Sequence, residues 1–153
     1  MIADNLASLE TSMKLAKFML WYTTAIWLGY GLWLFFDPKG LAYMGFGIDN
    51  WSATVEVQAM YGGAEIALGI FALLGVLKPK RFMVPALTLW AMIYTSLVIG
   101  RLIAIHQWGG TYAVEFGKLP DSYNPGAMWF LELPSATLLW ISLYLIRDNR
   151  DVN

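Results

Sequence analysis

Four long apolar stretches, separated by short polar or glycine-containing segments, dominate the chain. They run from about Leu15 to Phe36, Ala53 to Leu77, Phe82 to Ile105 and Ala127 to Ile146. Each is long enough to cross the roughly 30 Å hydrocarbon core of a bilayer, which takes about 20 helical residues. Backbone N–H and C=O groups find no water in lipid, so an open chain spans it only as helix, with every group paired internally. The pattern therefore predicts an all-α, polytopic membrane protein. It forms a single membrane domain over 1–153, an antiparallel four-transmembrane-helix bundle with helices at about 15–36, 53–77, 82–105 and 127–146.

The segments between have their own patterns. Leu6, Leu9 and Met13 recur at helical spacing ahead of the first span, with Asp4 or Asn5 available as N-cap, which predicts a short surface helix. The connector Asp37 to Ser52 mixes Gly40, Gly45 and Gly47 with apolar residues and is expected at the membrane interface. Lys78-Pro79-Lys80-Arg81 reads as a tight turn, and His106 to Gly126 as a long connector of the kind that often carries function. The first apolar run exceeds a signal-peptide h-region of about 7–15 residues, and Phe35-Phe36-Asp37-Pro38 follows instead of a small-residue cleavage site. It is expected to stay as a membrane anchor.

Cationic residues set the orientation. Lys14, Lys17, Lys78, Lys80, Arg81, Arg147 and Arg150 fall on one side of the spans, and Lys39 and Lys118 on the other. Lys and Arg accumulate in cytoplasmic segments, so both termini are expected in the cytoplasm. Trp33, Trp51, Trp108 and Trp129 then fall near the outer boundary, as an aromatic belt would.

Composition narrows the chemistry. The chain is 58% hydrophobic and 14% charged, against about 25% charged in soluble domains. A net charge of -1 without a basic patch argues against nucleic acid as a partner. With no cysteine and His106 as the one histidine, thiol chemistry, iron–sulfur clusters, cysteine zinc sites and bis-histidine haem cannot be built from this chain. No metal and no cofactor is expected, and His106 reads as an exposed loop residue. The eight methionines and eight tryptophans read as packing or lipid-facing residues.

Ionisable residues inside hydrocarbon each need a reason. At 1.5 Å per helical residue, Glu56, Arg101 and Glu132 share a level in the outer leaflet, while Glu65 lies near mid-membrane. Arg101 with Glu56 or Glu132 has two readings: a structural ion pair fixing helix register, or a site for an anion, headgroup or substrate. Glu65 is either a protonated carboxyl bonded to Tyr61 or a neighbouring helix, or a proton-relay or ligand group. At 100° per residue, Gln58, Tyr61, Gly62, Glu65, Gly69 and Ala72 form a polar and small stripe. Such a stripe favours close helix packing, with Glu56 nearly opposite it. Met128, Glu132, Ser135, Leu139 and Ser142 form a matching stripe on the fourth helix. Pro134 withdraws the usual partner of the Phe130 carbonyl beside Glu132.

Glu56-x4-Tyr61-Gly62-Gly63, Gly100-Arg101 and Trp129-x2-Glu132 resemble the motifs of an uncharacterised bacterial family of small four-helix membrane proteins. That family is catalogued as a domain of unknown function and is distantly similar to DoxX-like proteins. The resemblance covers most of the chain from the first helix onward. It implies a bacterial inner-membrane location and a shared core of Glu56, Tyr61, Gly62, Gly63, Arg101 and Glu132, and it implies no reaction. Some DoxX-like proteins are associated with quinone-linked respiratory enzymes.

Three functions follow as expectations. The first is a non-catalytic accessory or scaffolding subunit of a larger membrane complex, partnered by other subunits or by itself. The second is a binder or enzyme for a small hydrophobic ligand, a quinone or lipid, at an outer-leaflet Glu56/Arg101/Glu132 site. The third is a proton-coupled carrier using Glu65. No residue set here meets the geometry of a catalytic constellation, which weighs against an enzyme.

Overall fold

The computed structural model describes residues 2–44, 47–108 and 127–151, and among these the chain is helical with no strand. α1 is Ile2–Phe36. α2 is Trp51–Leu77, an α-helical start at Trp51–Val57, a π-helical turn at Gln58–Gly63 and a second α-helical part at Ala64–Leu77. α3 is Pro79–Trp108. α4 opens on a π-helical turn at Met128–Glu132 and continues as Leu133–Asp151. Residues 109–126, most of the third connector with Lys118, lie outside the described residues, as do Gly45 and the side chains of Asp4, Asn5, Leu6, Trp108 and Arg150.

Trp51–Leu77, Pro79–Gln107 and Met128–Arg147 are each long and apolar enough to cross a membrane, which marks a membrane protein. α1 is longer than any of them. Its apolar run is diluted by Trp21, Tyr22, Thr23, Thr24, Trp27, Tyr30 and Trp33. The separate surface helix expected near the N-terminus is instead the first part of α1, because neither glycine nor proline interrupts the chain before Gly29.

Close backbone approach sets the α1–α2 contact. A β-carbon on Gly62 would fall 2.8 Å from Phe35 Cα, one on Gly31 2.8 Å from Ile66 N, and one on Gly69 2.8 Å from Leu28 N. Partners therefore descend along α1 as they ascend along α2, so the two helices are antiparallel. Only glycine lets two backbones meet this closely. Lys78 alone separates α2 from α3, and Pro79 takes the first helical position, where its missing N–H costs nothing. Phe71 then meets Phe82 edge-on, with ring centroids 6.1 Å apart. α4 returns along α3, joined by Trp140 Nε1 donating to Thr95 Oγ1 at 3.1 Å.

α1 packs along α2 and also touches α3 and α4. The main core joins Met19, Leu20, Ala72, Leu87, Trp90, Tyr94 and Leu139. A second, smaller cluster of Leu34, Leu41 and Val57 sits at the other end. It forms because the first connector folds back as a 3-10 turn, Pro38–Met44, with Gly40 seated on the Trp33 ring.

Several polar side chains are buried within this apolar core, and large apolar side chains cover the outside. Thr23, Glu65, Glu132, Ser135 and Ser142 are buried, whereas Phe18, Trp21, Ile70, Met92, Leu102, Ile103 and Tyr144 are exposed. Water would penalise that surface heavily, while lipid accepts it. Thr24, Thr88, Thr95, Thr137 and Ser142 each donate to the carbonyl four residues earlier at 2.7–2.9 Å. This is how a hydroxyl is satisfied where no water is available.

Candidate functional site

Arg101 and Glu132 form the central charged pair. Arg101 Nε lies 3.0 Å from Glu132 Oε1 and 2.8 Å from Oε2, and Nη2 lies 2.8 Å from Oε1. Both carboxylate oxygens thus accept from one guanidinium, the strong form of such a pair. Glu132 is almost wholly enclosed, with 5% of its side chain exposed, against 37% for Arg101.

Local structure aims Glu132 inward. In the π-helical turn the Leu133 N–H bonds to the Met128 carbonyl, five residues back. Pro134 follows directly and has no N–H to give the Phe130 carbonyl. Met128, Glu132, Ser135, Leu139 and Ser142 are all buried, so the stripe read along this helix is its packed face. Such π-helical turns often occur where a helix presents functional side chains.

The second π-helical turn does the same on α2. Ala64 N–H bonds to the Ala59 carbonyl, five residues back. Buried positions run Val57, Gly62, Glu65, Gly69, Ala72 and Gly75, and the five-residue step from Val57 to Gly62 marks the extra residue. Tyr61 is consequently half-exposed. Gln58 Nε2 reaches α1 and donates to the Phe35 carbonyl at 2.8 Å, capping its last turn. Gly62 and Gly69 are both packed against α1. Gly63 meets only the Gln58 carbonyl of its own helix, 3.8 Å from an added β-carbon.

Glu65 lies inside the α1–α2 contact. It is 7% exposed, and its Oε2 is buried without a hydrogen-bond partner. Its Cβ is 3.0 Å from where Gly31 would carry one. Tyr30 on α1 lies within electrostatic reach of Glu65, Tyr61 and Arg101 together. Glu65, expected deeper than the outer acids and apart from them, therefore shares a neighbourhood with the Arg101–Glu132 pair through Tyr30. All four helices contribute to this cluster.

Glu56 stands elsewhere. It is exposed, and the carboxylate at Arg101 is that of Glu132. Trp129, Trp33 and Trp51 are exposed as well. His106 is exposed near the end of α3, and among the described residues no group of three or more His, Asp and Glu side chains is placed to hold a metal ion.

Below the charged pair lies a second polar tier that the sequence reading missed. Trp27 Nε1 donates to the Tyr94 hydroxyl at 2.8 Å, and the Trp27 and Trp90 rings are 4.9 Å apart. Thr23 and Ser135 stand beside the same hydroxyl. Thr23 Oγ1 and Trp90 Nε1 are buried with no hydrogen-bond partner. A signal existed: Thr23 and Tyr30 on α1, and Tyr94 and Arg101 on α3, are seven residues apart, which returns a helix to nearly the same face. Aromatic residues in an apolar run read as lipid contacts, and that hid the pattern. A groove of about 90 Å³ opens between α1 and α4 beside this tier, lined by Phe18, Tyr22, Phe130, Leu131, Pro134 and Ser135 among others.

No family model matches the chain, and neither a curated protein nor a solved structure matches it.

Proposed function

We propose that this protein binds a small hydrophobic molecule with a polar head, a quinone or a lipid, in the outer half of a four-span bundle. In this reading α1 is the fourth crossing, both termini face the cytoplasm and the membrane is the bacterial inner membrane. The likeness of the Glu56-x4-Tyr61-Gly62-Gly63, Gly100-Arg101 and Trp129-x2-Glu132 motifs to those of an uncharacterised bacterial four-helix family, itself distantly DoxX-like, belongs to the same proposal. The polar head is held by Tyr30, Tyr61, Glu65 and the Arg101–Glu132 pair, and the chain performs no chemistry on it. Glu56 is left out of the site.

One observation carries the reading. Glu65 Oε2 is buried without a partner in a cluster drawn from four helices. An unsatisfied polar atom is costly in the interior of a protein, more so in lipid, and is retained where something uses it. The test is recovery of a bound molecule. Protein purified into nanodiscs from its native membrane should carry a quinone or lipid at close to one per chain, identified by mass spectrometry of the organic extract. Glu65→Ala and Tyr30→Phe should lower that occupancy at least fivefold. Equal occupancy in wild type and both variants would overturn the reading.

The accessory-subunit reading is favoured by a different observation. Phe36, Trp51 and Phe130 are each more than 80% exposed; Phe36 ends α1, Trp51 begins α2 and Phe130 lies in the first turn of α4. Larger subunits recovered at fixed stoichiometry in mild detergent, and lost with Phe36→Ser and Trp51→Ser, would favour it.

A further inference from the structure

Tyr30 on α1 has Glu65 and Tyr61 of α2 and Arg101 of α3 within its electrostatic reach, and Arg101 in turn holds Glu132 on α4. The only cation in that set is Arg101, and its Nε and Nη2 are engaged by Glu132 at 2.8–3.0 Å. Among the described residues, a carboxylate at Glu65 would therefore be a buried negative charge whose Oε2 accepts no hydrogen bond, while the arginine is held by a second acid. Such a charge is neutralised by taking a proton rather than sustained. A protonated carboxyl changes the chemistry of the site, because it becomes a hydrogen-bond donor.

We propose that Glu65 carries its proton and donates it in a hydrogen bond to a carbonyl oxygen of the bound molecule. This rests on the binding function proposed above and specifies its recognition chemistry. The Arg101–Glu132 pair keeps the arginine occupied, so that Glu65 stays neutral. The glycines at positions 31, 62 and 69 bring α1 close enough to exclude water from it. Tyr30, within electrostatic reach of Glu65 and Arg101, is the second hydroxyl at the head of the ligand. A carbonyl is shared by the quinone ring and the lipid ester, so the chemistry fits either source.

Infrared difference spectroscopy tests this directly. The protein is placed in nanodiscs of ether-linked phosphatidylcholine, which has no carbonyl, and the spectrum of Glu65→Gln is subtracted from that of wild type at neutral pH. The expected result is a protonated-carboxyl C=O band, sensitive to deuterium exchange, that is assigned to Glu65 by its absence from the variant. Addition of ubiquinone-1 should move the band to lower frequency if the acceptor is a quinone. Exchange into ester-linked phosphatidylcholine should move it if the acceptor is a lipid ester. Absence of the band means that Glu65 is ionised and overturns the inference, even if the extract contains a bound molecule. A band that neither probe moves overturns the proposed donation. An empty extract overturns the binding function and leaves the band as a separate result on protonation. Glu65→Gln, neutral and of the same shape, should match the wild-type melting temperature, which separates its spectral effect from misfolding.

Discussion

Replacing Arg101 by leucine removes both nitrogens that hold Glu132 and leaves that carboxylate enclosed at 5% exposure with its principal partner gone. Removing one member of a fully buried pair costs about 3–5 kcal/mol. Arg101 is 37% exposed, so water already screens part of the attraction, and a loss of about 2–3 kcal/mol is the better expectation. For a chain of this length each kcal/mol moves the melting temperature by roughly 2–4 °C, so Arg101→Leu should melt roughly 4–12 °C below wild type in the same detergent. The companion variant Glu132→Leu strands the arginine instead, and its partial exposure should make that loss smaller. The double variant should recover most of the stability, because replacing a buried pair with apolar groups is often neutral or better. Thermal unfolding followed by tryptophan fluorescence measures all four proteins. A single variant that melts with wild type would mean that the guanidinium does not depend on Glu132. A double variant no better than Arg101→Leu would mean that the loss came from packing, not from an abandoned charge. Either result refutes the electrostatic account.

The helix contacts give a matched pair of substitutions: Gly69→Val drives a side chain into Leu28 of α1 and should destabilise by about 1–3 kcal/mol in a thermal melt, while Gly29→Ala and Gly100→Ala, with open space within 4 Å, should be neutral or stabilise by about 0.5–1 kcal/mol. Outside the spans, the Lys14 ammonium 2.7 Å from Glu10 holds that carboxyl below its ordinary 4.5 by hydrogen bonding and charge. The small stabilisation is therefore fully present above that value and disappears as pH falls through the lowered one, and Lys14→Gln should return Glu10 to the ordinary range in a carbon-13 NMR titration. The chain has no cysteine, so single cysteines report topology cleanly. Trp51→Cys should react with an impermeant maleimide added to intact cells and Lys80→Cys only after lysis, and the reverse pattern would invert the proposed orientation. Trp27→Phe removes the bond to Tyr94 and should cost about 1 kcal/mol, measured in the same melts.

The sequence by itself determined the solvent and much of the helix rotation. Three runs of apolar residues long enough to cross a membrane are a property of composition and length, and no tertiary contact was needed to find them. The inward face of α4, through Met128, Glu132, Ser135, Leu139 and Ser142, was legible because side-chain direction along a regular helix follows from residue spacing alone. Glu65, Gly69 and Ala72 were legible on α2 for the same reason. Before them, the π-helical turn adds a residue and rotates the preceding segment by about 100°. Tyr61 therefore came out half-exposed, and Val57 rather than Gln58 is the buried residue in the turn before Gly62. Residue spacing does not register such a turn, which lies where α1 approaches Gly62. The choice between Glu56 and Glu132 as the partner of Arg101 likewise belonged to tertiary structure. Both are acids at the correct depth, and only the relative rotation of α2, α3 and α4 aims one of them at the guanidinium. Tyr30, Thr23 and Tyr94 entered the interior the same way: a hydroxyl on an aromatic or β-branched side chain is compatible with lipid, interface or core, and the neighbouring helices decide which.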